Sequence, residues 1–107
     1  MRNLALDLKS TVTESLQRAP VIAVVRHPDR AVAAGQARAF LRHGIEMVEV
    51  TFTVPGAADL VRELRDQRPA DSPARIGMGT VTTAARAREA VAAGSEFLVT
   101  PNVSAAV

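Results

Sequence analysis

Hydrophobic and polar positions follow one repeated order along this chain: a short β-branched run, a turn, an alanine-rich stretch with helical spacing, then a glycine or proline. The first run is PVIAVVR, Pro20 to Arg26. Asp29 is placed to cap the helix that follows, and Val32, Ala33, Ala37, Phe40 and Leu41 fall on one of its faces. Gly44 ends that helix, as expected of a glycine just past a helix terminus. The second run, IEMVEVTF, covers Ile45 to Phe52. Thr53 then reads as the cap of a helix with Pro55 in its first turn and Leu60, Val61 and Leu64 as its buried stripe.

Pro69 stops the second helix and opens the longest polar connection, Pro69 to Arg75. A third run, RIGMGTV, leads to a helix capped near Thr82 or Thr83, with Ala87, Ala90 and Val91 facing inward and Gly94 as the stop. The fourth run is EFLVTPN, after which Ser104 starts another helix. Ahead of all these, Thr11 to Arg18 reads as a short amphipathic helix, with Thr11 and Glu14 at capping-box spacing and Leu16 on the apolar side. The pattern predicts a helical leader over residues 1–19. Residues 20–107 follow as an α/β unit of parallel strands joined by right-handed crossovers.

Composition narrows this picture. With 107 residues the chain is too short for a complete eight-stranded barrel, which needs roughly 200 residues or more. Twenty alanines and 14 valines against three phenylalanines predict a core of small and branched side chains, as where helices lie close on a parallel sheet. The net charge is only +2, acidic residues are interspersed among twelve arginines, and aromatics make up 3%. A nucleic-acid surface is not expected from that balance. No cysteine is present, which excludes disulfides and thiolate metal sites. No secretory signal and no run of about 18 apolar residues is visible, so a soluble cytoplasmic protein without a membrane partner is expected.

Three positions offer chemistry. In MVEVTF the alternation puts Val48, Val50 and Phe52 on one face and Met47, Glu49 and Thr51 on the other. The aliphatic face suits a helix layer, which leaves Glu49 in the middle of the opposite face. A buried carboxylate there would have a raised pKa and suit acid–base work, whereas on an edge strand it would sit in water or form a structural ion pair. Arg26 closes the first strand at the edge where parallel α/β proteins bind ligands, and its guanidinium suits a carboxylate or phosphate. The bland alternative is a solvated arginine. Gly77 and Gly79 do not complete a nucleotide-binding fingerprint, because Thr82 stands where a third glycine belongs. They either let a ligand or backbone approach the strand end, where Thr80 offers a hydroxyl, or simply make room for packing. His27 and His43 share no ligand spacing, so no metal site is expected, and Lys9, the only lysine, reads as solvated.

Taken in order, PVIAVVR, GIEMVEVTFTVPGA, IGMGTV and AGSEFLVTPN resemble the N-terminal half of the 2-keto-3-deoxy-6-phosphogluconate (KDPG) aldolases, a bacterial family that includes 4-hydroxy-2-oxoglutarate aldolase. The resemblance covers Pro20 to Asn102. It implies half of a (β/α)8 TIM barrel: the first four strands, the first three barrel helices and the start of the fourth. It further implies a class I aldol cleavage needing no metal or cofactor, in an enzyme that is usually a homotrimer. The substrate is KDPG, giving pyruvate and glyceraldehyde 3-phosphate, or 4-hydroxy-2-oxoglutarate, giving pyruvate and glyoxylate. On this resemblance Glu49 is the general base, Arg26 contacts the anionic part of the substrate, and Thr80 binds near the pyruvyl carboxylate. Thr53 stands where some members carry an arginine. The family's Schiff-base lysine lies on the sixth strand, and its phosphate site lies in the loops after the seventh and eighth strands. Both positions fall beyond Val107, so the 107 residues alone are expected to be inactive and prone to self-association. The competing readings are a small flavodoxin-like anion-binding domain without catalysis and a gene remnant.

Overall fold

The computed structural model describes residues 4–107, with side chains from residue 11 onward. Its elements are α1 (Leu4–Arg18), β1 (Ile22–Val25), α2 (Arg30–Arg42), β2 (Met47–Thr51), α3 (Ala57–Gln67), β3 (Arg75–Gly79) and α4 (Ala84–Ala92). The strands form one parallel sheet in the order β1-β2-β3. Val24, Glu49 and Gly77 share one row across it, and Val25, Val50 and Met78 the next.

The second row faces the helices. Val25, Val48, Val50, Ile76 and Met78 pack against Ala33, Ala34 and Ala37 of α2, the Ala57, Leu60, Val61 and Leu64 stripe of α3, and Ala90 of α4. Alanine on the helices lets them approach the branched strand residues closely. β2 is central and all five of its residues are buried.

The fourth run does not become a strand. Leu98 makes one parallel bridge to Met78. Around it, Glu96 N–H donates to Ile76 O (2.9 Å), Met78 N–H to Phe97 O (3.2 Å) and Val99 N–H to Met78 O (2.9 Å). One more bond, Val81 N–H to Val99 O (3.2 Å), follows, and pairing ends there because Pro101 has no N–H and Thr100 Oγ1 turns back to the Asn102 carbonyl at 2.8 Å. The helix expected from Ser104 is only a turn over residues 105–106, too short to propagate. Even so, the fourth segment lies beside β3. In both common doubly wound orders a later strand lies beside β1 instead, and in the flavodoxin-like order β1 sits between β2 and β3. The singly wound order 1-2-3 therefore excludes the flavodoxin-like arrangement.

Several local expectations hold and others need correction. Asp29 caps α2, its carboxylate accepting from Ala31 N–H (2.8 Å) and Val32 N–H (3.3 Å). Thr83 caps α4, and Gly44 and Gly94 are left-handed just beyond their helices. Thr53 does not cap α3. Its hydroxyl pairs with Thr51 Oγ1 at 2.6 Å, and left-handed Gly56 (φ 65°) is the cap residue. Val32 (41% exposed) and Val91 (64%) face outward, and Phe40 (36%) lies at the edge of the stripe. In each helix the adjacent alanine takes the sheet-facing position, and the next residue is rotated about 100° away from it. The leader helix runs over Leu4–Arg18, so Thr11 and Glu14 lie inside it and not at a helix start; among its described side chains Ser15 is buried and Leu16 half-buried.

The end of the sheet where the strands begin is held by charge. The Glu96 side chain is 7% exposed and meets Arg68, Arg65 (3.7 Å) and Arg75 (3.6 Å). Arg68 Nη1 also donates to Ala74 O at 2.7 Å, and Arg18 joins α1 to Glu46 through bonds of 3.1 and 2.7 Å. Four of the twelve arginines are thus tied to carboxylates of the fold at this end. Among the described residues, no helix is long and apolar enough to cross a membrane.

The packing gives a direct contrast. Leu60→Ala, fully buried, should lower the unfolding free energy by about 2–5 kcal/mol, and Val91→Ala by less than about 0.5 kcal/mol. Urea titration of the two variants checks both. Equal losses would mean that α4 packs with Val91 inward after all.

Candidate functional site at the strand ends

Glu49, Arg26 and Thr80 come from three adjacent strands and meet at one edge. β1 ends at Val25, so Arg26 leads away from its C-terminal end. β3 ends at Gly79, so Thr80 leaves two positions away in space, with β2 between them. Glu49 sits mid-strand in the row with Val24 and Gly77, on the face away from the helices, as the alternation required. Its side chain leans toward the strand ends and lies over Gly79. A Cβ on Gly79 would overlap the Glu49 carboxylate oxygen, whereas a Cβ on Gly77 would overlap the carbonyl and ring of Phe97. The two glycines therefore have separate tasks. Gly77 admits the fourth segment, and Gly79 makes room for the carboxylate.

Glu49 is 6% exposed. Burial pushes its carboxyl above the usual glutamate range, and the nearby Arg26 guanidinium partly opposes that rise. Arg26 is itself exposed, and its Nη2 stands 3.5 Å from Thr80 Oγ1, a long contact that leaves most of its donors free. The arrangement offers a carboxyl with a raised pKa, a guanidinium and a hydroxyl within one small area. A carboxylate-bearing ligand could be held by the last two while the first takes or gives a proton.

Thr80 has a left-handed backbone (φ 57°), and it alone does so among the described non-glycine residues. A β-branched residue there costs on the order of 1–3 kcal/mol. The strain is met by Arg86, whose Nη1 donates to the Thr80 carbonyl (3.1 Å) and to Thr82 Oγ1 (3.0 Å). The same guanidinium lies over the Phe52 ring, 5.3 Å from its centroid. Neither Arg86 nor the Phe52 contact was visible in the sequence. Arg86 is one arginine among twelve, and the only available hint was its place in the first turn of the helix that follows the strand-end threonine.

Other sequence candidates lie apart. His27 Nδ1 accepts the Asp29 N–H at 2.9 Å and serves the turn into α2, while His43 is the exposed C-cap of that helix. Lys9 falls on α1, ahead of β1, and its side chain lies outside the described residues. Among the described residues, no group of three or more histidines and carboxylates could hold a metal ion. A cleft of about 340 Å³ between the last turns of α2 and α3, lined by Arg38, Leu41, Leu64 and Arg68, includes none of the strand-end residues.

Residues 12–107 match the family described as KDPG and KHG aldolase. The 2-dehydro-3-deoxy-phosphogluconate aldolase of Treponema pallidum (strain Nichols) is 41% identical over 91 residues, which is 85% of this chain and 42% of that protein. The structure of the Zymomonas mobilis ZM4 2-keto-3-deoxy-6-phosphogluconate aldolase with 3-phosphoglycerate superposes with a TM-score of 0.73 at 32% identity, covering 89% of this chain and 44% of that one. The Legionella pneumophila KDPG aldolase, with pyruvate captured as a covalent carbinolamine intermediate, gives 0.64 at 30% identity over 81% of this chain and 41% of that one. The chain thus spans less than half the length of the relatives it matches. The expected α/β class and N-terminal barrel half stand, with three full strands and a bridged fourth segment.

The raised Glu49 pKa has a stability signature. Between the ordinary value of 4.5 and the raised one, the folded chain keeps a proton that the unfolded chain has lost, so stability falls as pH rises through that window. Glu49→Gln stays neutral. Its urea midpoint should match the parent below the ordinary glutamate pKa and exceed it increasingly as pH climbs, then stay above by a constant gap. A gap that opened toward acid would contradict the assignment.

Proposed function

From the premise that the chain belongs to the KDPG and KHG aldolase family, we propose that residues 20–107 supply the acid–base and carboxylate-binding portion of a class I aldolase site. The supporting observation is the convergence of Glu49, Arg26 and Thr80 at the C-terminal ends of three neighbouring parallel strands. The substrate class is a 2-keto acid with a hydroxyl at C4, either KDPG or 4-hydroxy-2-oxoglutarate, and both release pyruvate.

In the proposed cleavage, a lysine amine condenses with the C2 carbonyl and loses water to give an iminium. Glu49 takes the proton of the C4 hydroxyl, directly or through water. The C3–C4 bond then breaks, its electron pair moves into the iminium, and the aldehyde departs. A carboxyl whose pKa is raised by burial is suited to take that proton and return it when C3 is reprotonated. Arg26 and Thr80 hold the pyruvyl carboxylate, which keeps the C2–C4 segment over Glu49.

The lysine is the missing group. Lys9, on the helix before β1, is the chain's one lysine, and we assign the covalent role to a residue outside these 107. Residues 1–107 by themselves then bind a 2-keto acid without cleaving it.

Pyruvate tests both parts. Titrating it into ¹⁵N-labelled chain should shift the amides of Arg26, Thr80 and Val81, and Arg26→Ala should weaken binding about tenfold, roughly 1.4 kcal/mol. Borohydride reduction in the presence of pyruvate should leave Lys9 unmodified by mass spectrometry. Absent shifts would sink the carboxylate site, and a stable pyruvyl adduct on Lys9 would overturn the assignment of the lysine.

A further inference from the structure

Thr80 is held from three directions. On one side the Gly79 carbonyl accepts from Phe52 N–H at 3.1 Å, and on the other Val81 N–H donates to Val99 O at 3.2 Å. Those two bonds fix the chain before and after Thr80 but leave the intervening Thr80 carbonyl unclaimed by the sheet. Arg86 claims it. One Nη1 serves both the Thr80 carbonyl and Thr82 Oγ1, while the Arg86 backbone N–H is capped by Thr83 Oγ1 at 3.1 Å. The guanidinium face rests on Phe52, the residue that follows β2. Arg86 therefore ties the first turn of α4, the loop after β3 and the loop after β2 to one point.

We propose that Arg86 is a positioning residue: it holds Thr80 in the left-handed conformation that places its hydroxyl beside Arg26, and so sets the carboxylate-binding geometry without touching the ligand. A β-branched side chain leaves this region unless the surrounding structure over-determines it. If Thr80 rotated to an extended φ, its hydroxyl would swing away from Arg26 Nη2, now 3.5 Å distant, and the guanidinium would face the ligand alone. Lysine could reach the Thr80 carbonyl, but a compact ammonium lacks the planar face that lies on Phe52. The inference rests on the keto-acid reading of the strand ends and names what keeps that site in shape.

A double-mutant cycle reads this role, because glycine adopts the left-handed region without strain and makes a conformational clamp dispensable. The four proteins are the parent chain, Arg86→Ala, Thr80→Gly and the double variant, each titrated with pyruvate by NMR. Arg86→Ala should weaken pyruvate about tenfold in the parent background and less than twofold in the Thr80→Gly background, and Arg86→Lys should recover part of the loss. Equal weakening in both backgrounds, or none in either, overturns the proposal, since a purely structural arginine would act alike in both. If the parent chain itself ignores pyruvate, the keto-acid reading fails and the urea midpoints of the same four proteins judge the clamp. A drop on Arg86→Ala that shrinks by more than half in the Thr80→Gly background supports it, and equal drops overturn it.

Discussion

β2 is buried along its whole length, and the surrounding elements are arranged to meet that demand. A central parallel strand has its backbone groups paired on both edges and must be covered on both faces. On the helix side Val48 and Val50 meet the alanines of α2 and the Leu60, Val61 and Leu64 stripe of α3, an ordinary apolar solution. On the other side the strand carries Met47, Glu49 and Thr51, so the same burial that stabilises the sheet also takes a carboxylate out of water.

That cost shapes the strand ends. An isolated buried carboxylate is expensive to ionise, and the fold answers by holding Glu49 toward its neutral form instead of pairing it tightly. Gly79 gives the side chain its path, and Arg26 tempers the shift from across the sheet edge. The tight pairing is reserved for the opposite edge, where Glu96 is shared by three arginines. One end of the sheet is neutralised and closed, and the other keeps an unspent guanidinium and a protonatable acid. In parallel α/β proteins the strand C-termini are the end where such groups can act on a ligand.

The placement of Glu49 was legible in the sequence because strand periodicity is two: once Val48 and Val50 face the helices, Glu49 cannot. Arg26 and Thr80 were legible as strand-end residues for a similar reason, each following a β-branched or glycine-rich run. What periodicity could not supply was the order of the strands. A β-strand followed by a helix reads the same in a barrel and in a doubly wound sheet, and the order β1-β2-β3 with the fourth segment seated beside β3 separates them. Nor could it rank alanine against valine within a helix. Val32 and Val91 are the more apolar side chains, yet Ala33 and Ala90 face inward and the valines face out.

The sequence by itself determined the alternation, the cap at Asp29, a threonine cap at position 82 or 83, the glycine stops at Gly44 and Gly94, and the face on which the acid would lie. Each depends on neighbours within one turn or one pleat, so local spacing carries the information. Tertiary structure alone decided that Gly79 accommodates a carboxylate while Gly77 accommodates a backbone, that Gly56 replaces Thr53 at the start of α3, and that Arg86 donates to the carbonyl of left-handed Thr80. Those contacts join residues from separate βα units, and their distances exist only once the parallel register has brought three strand ends together.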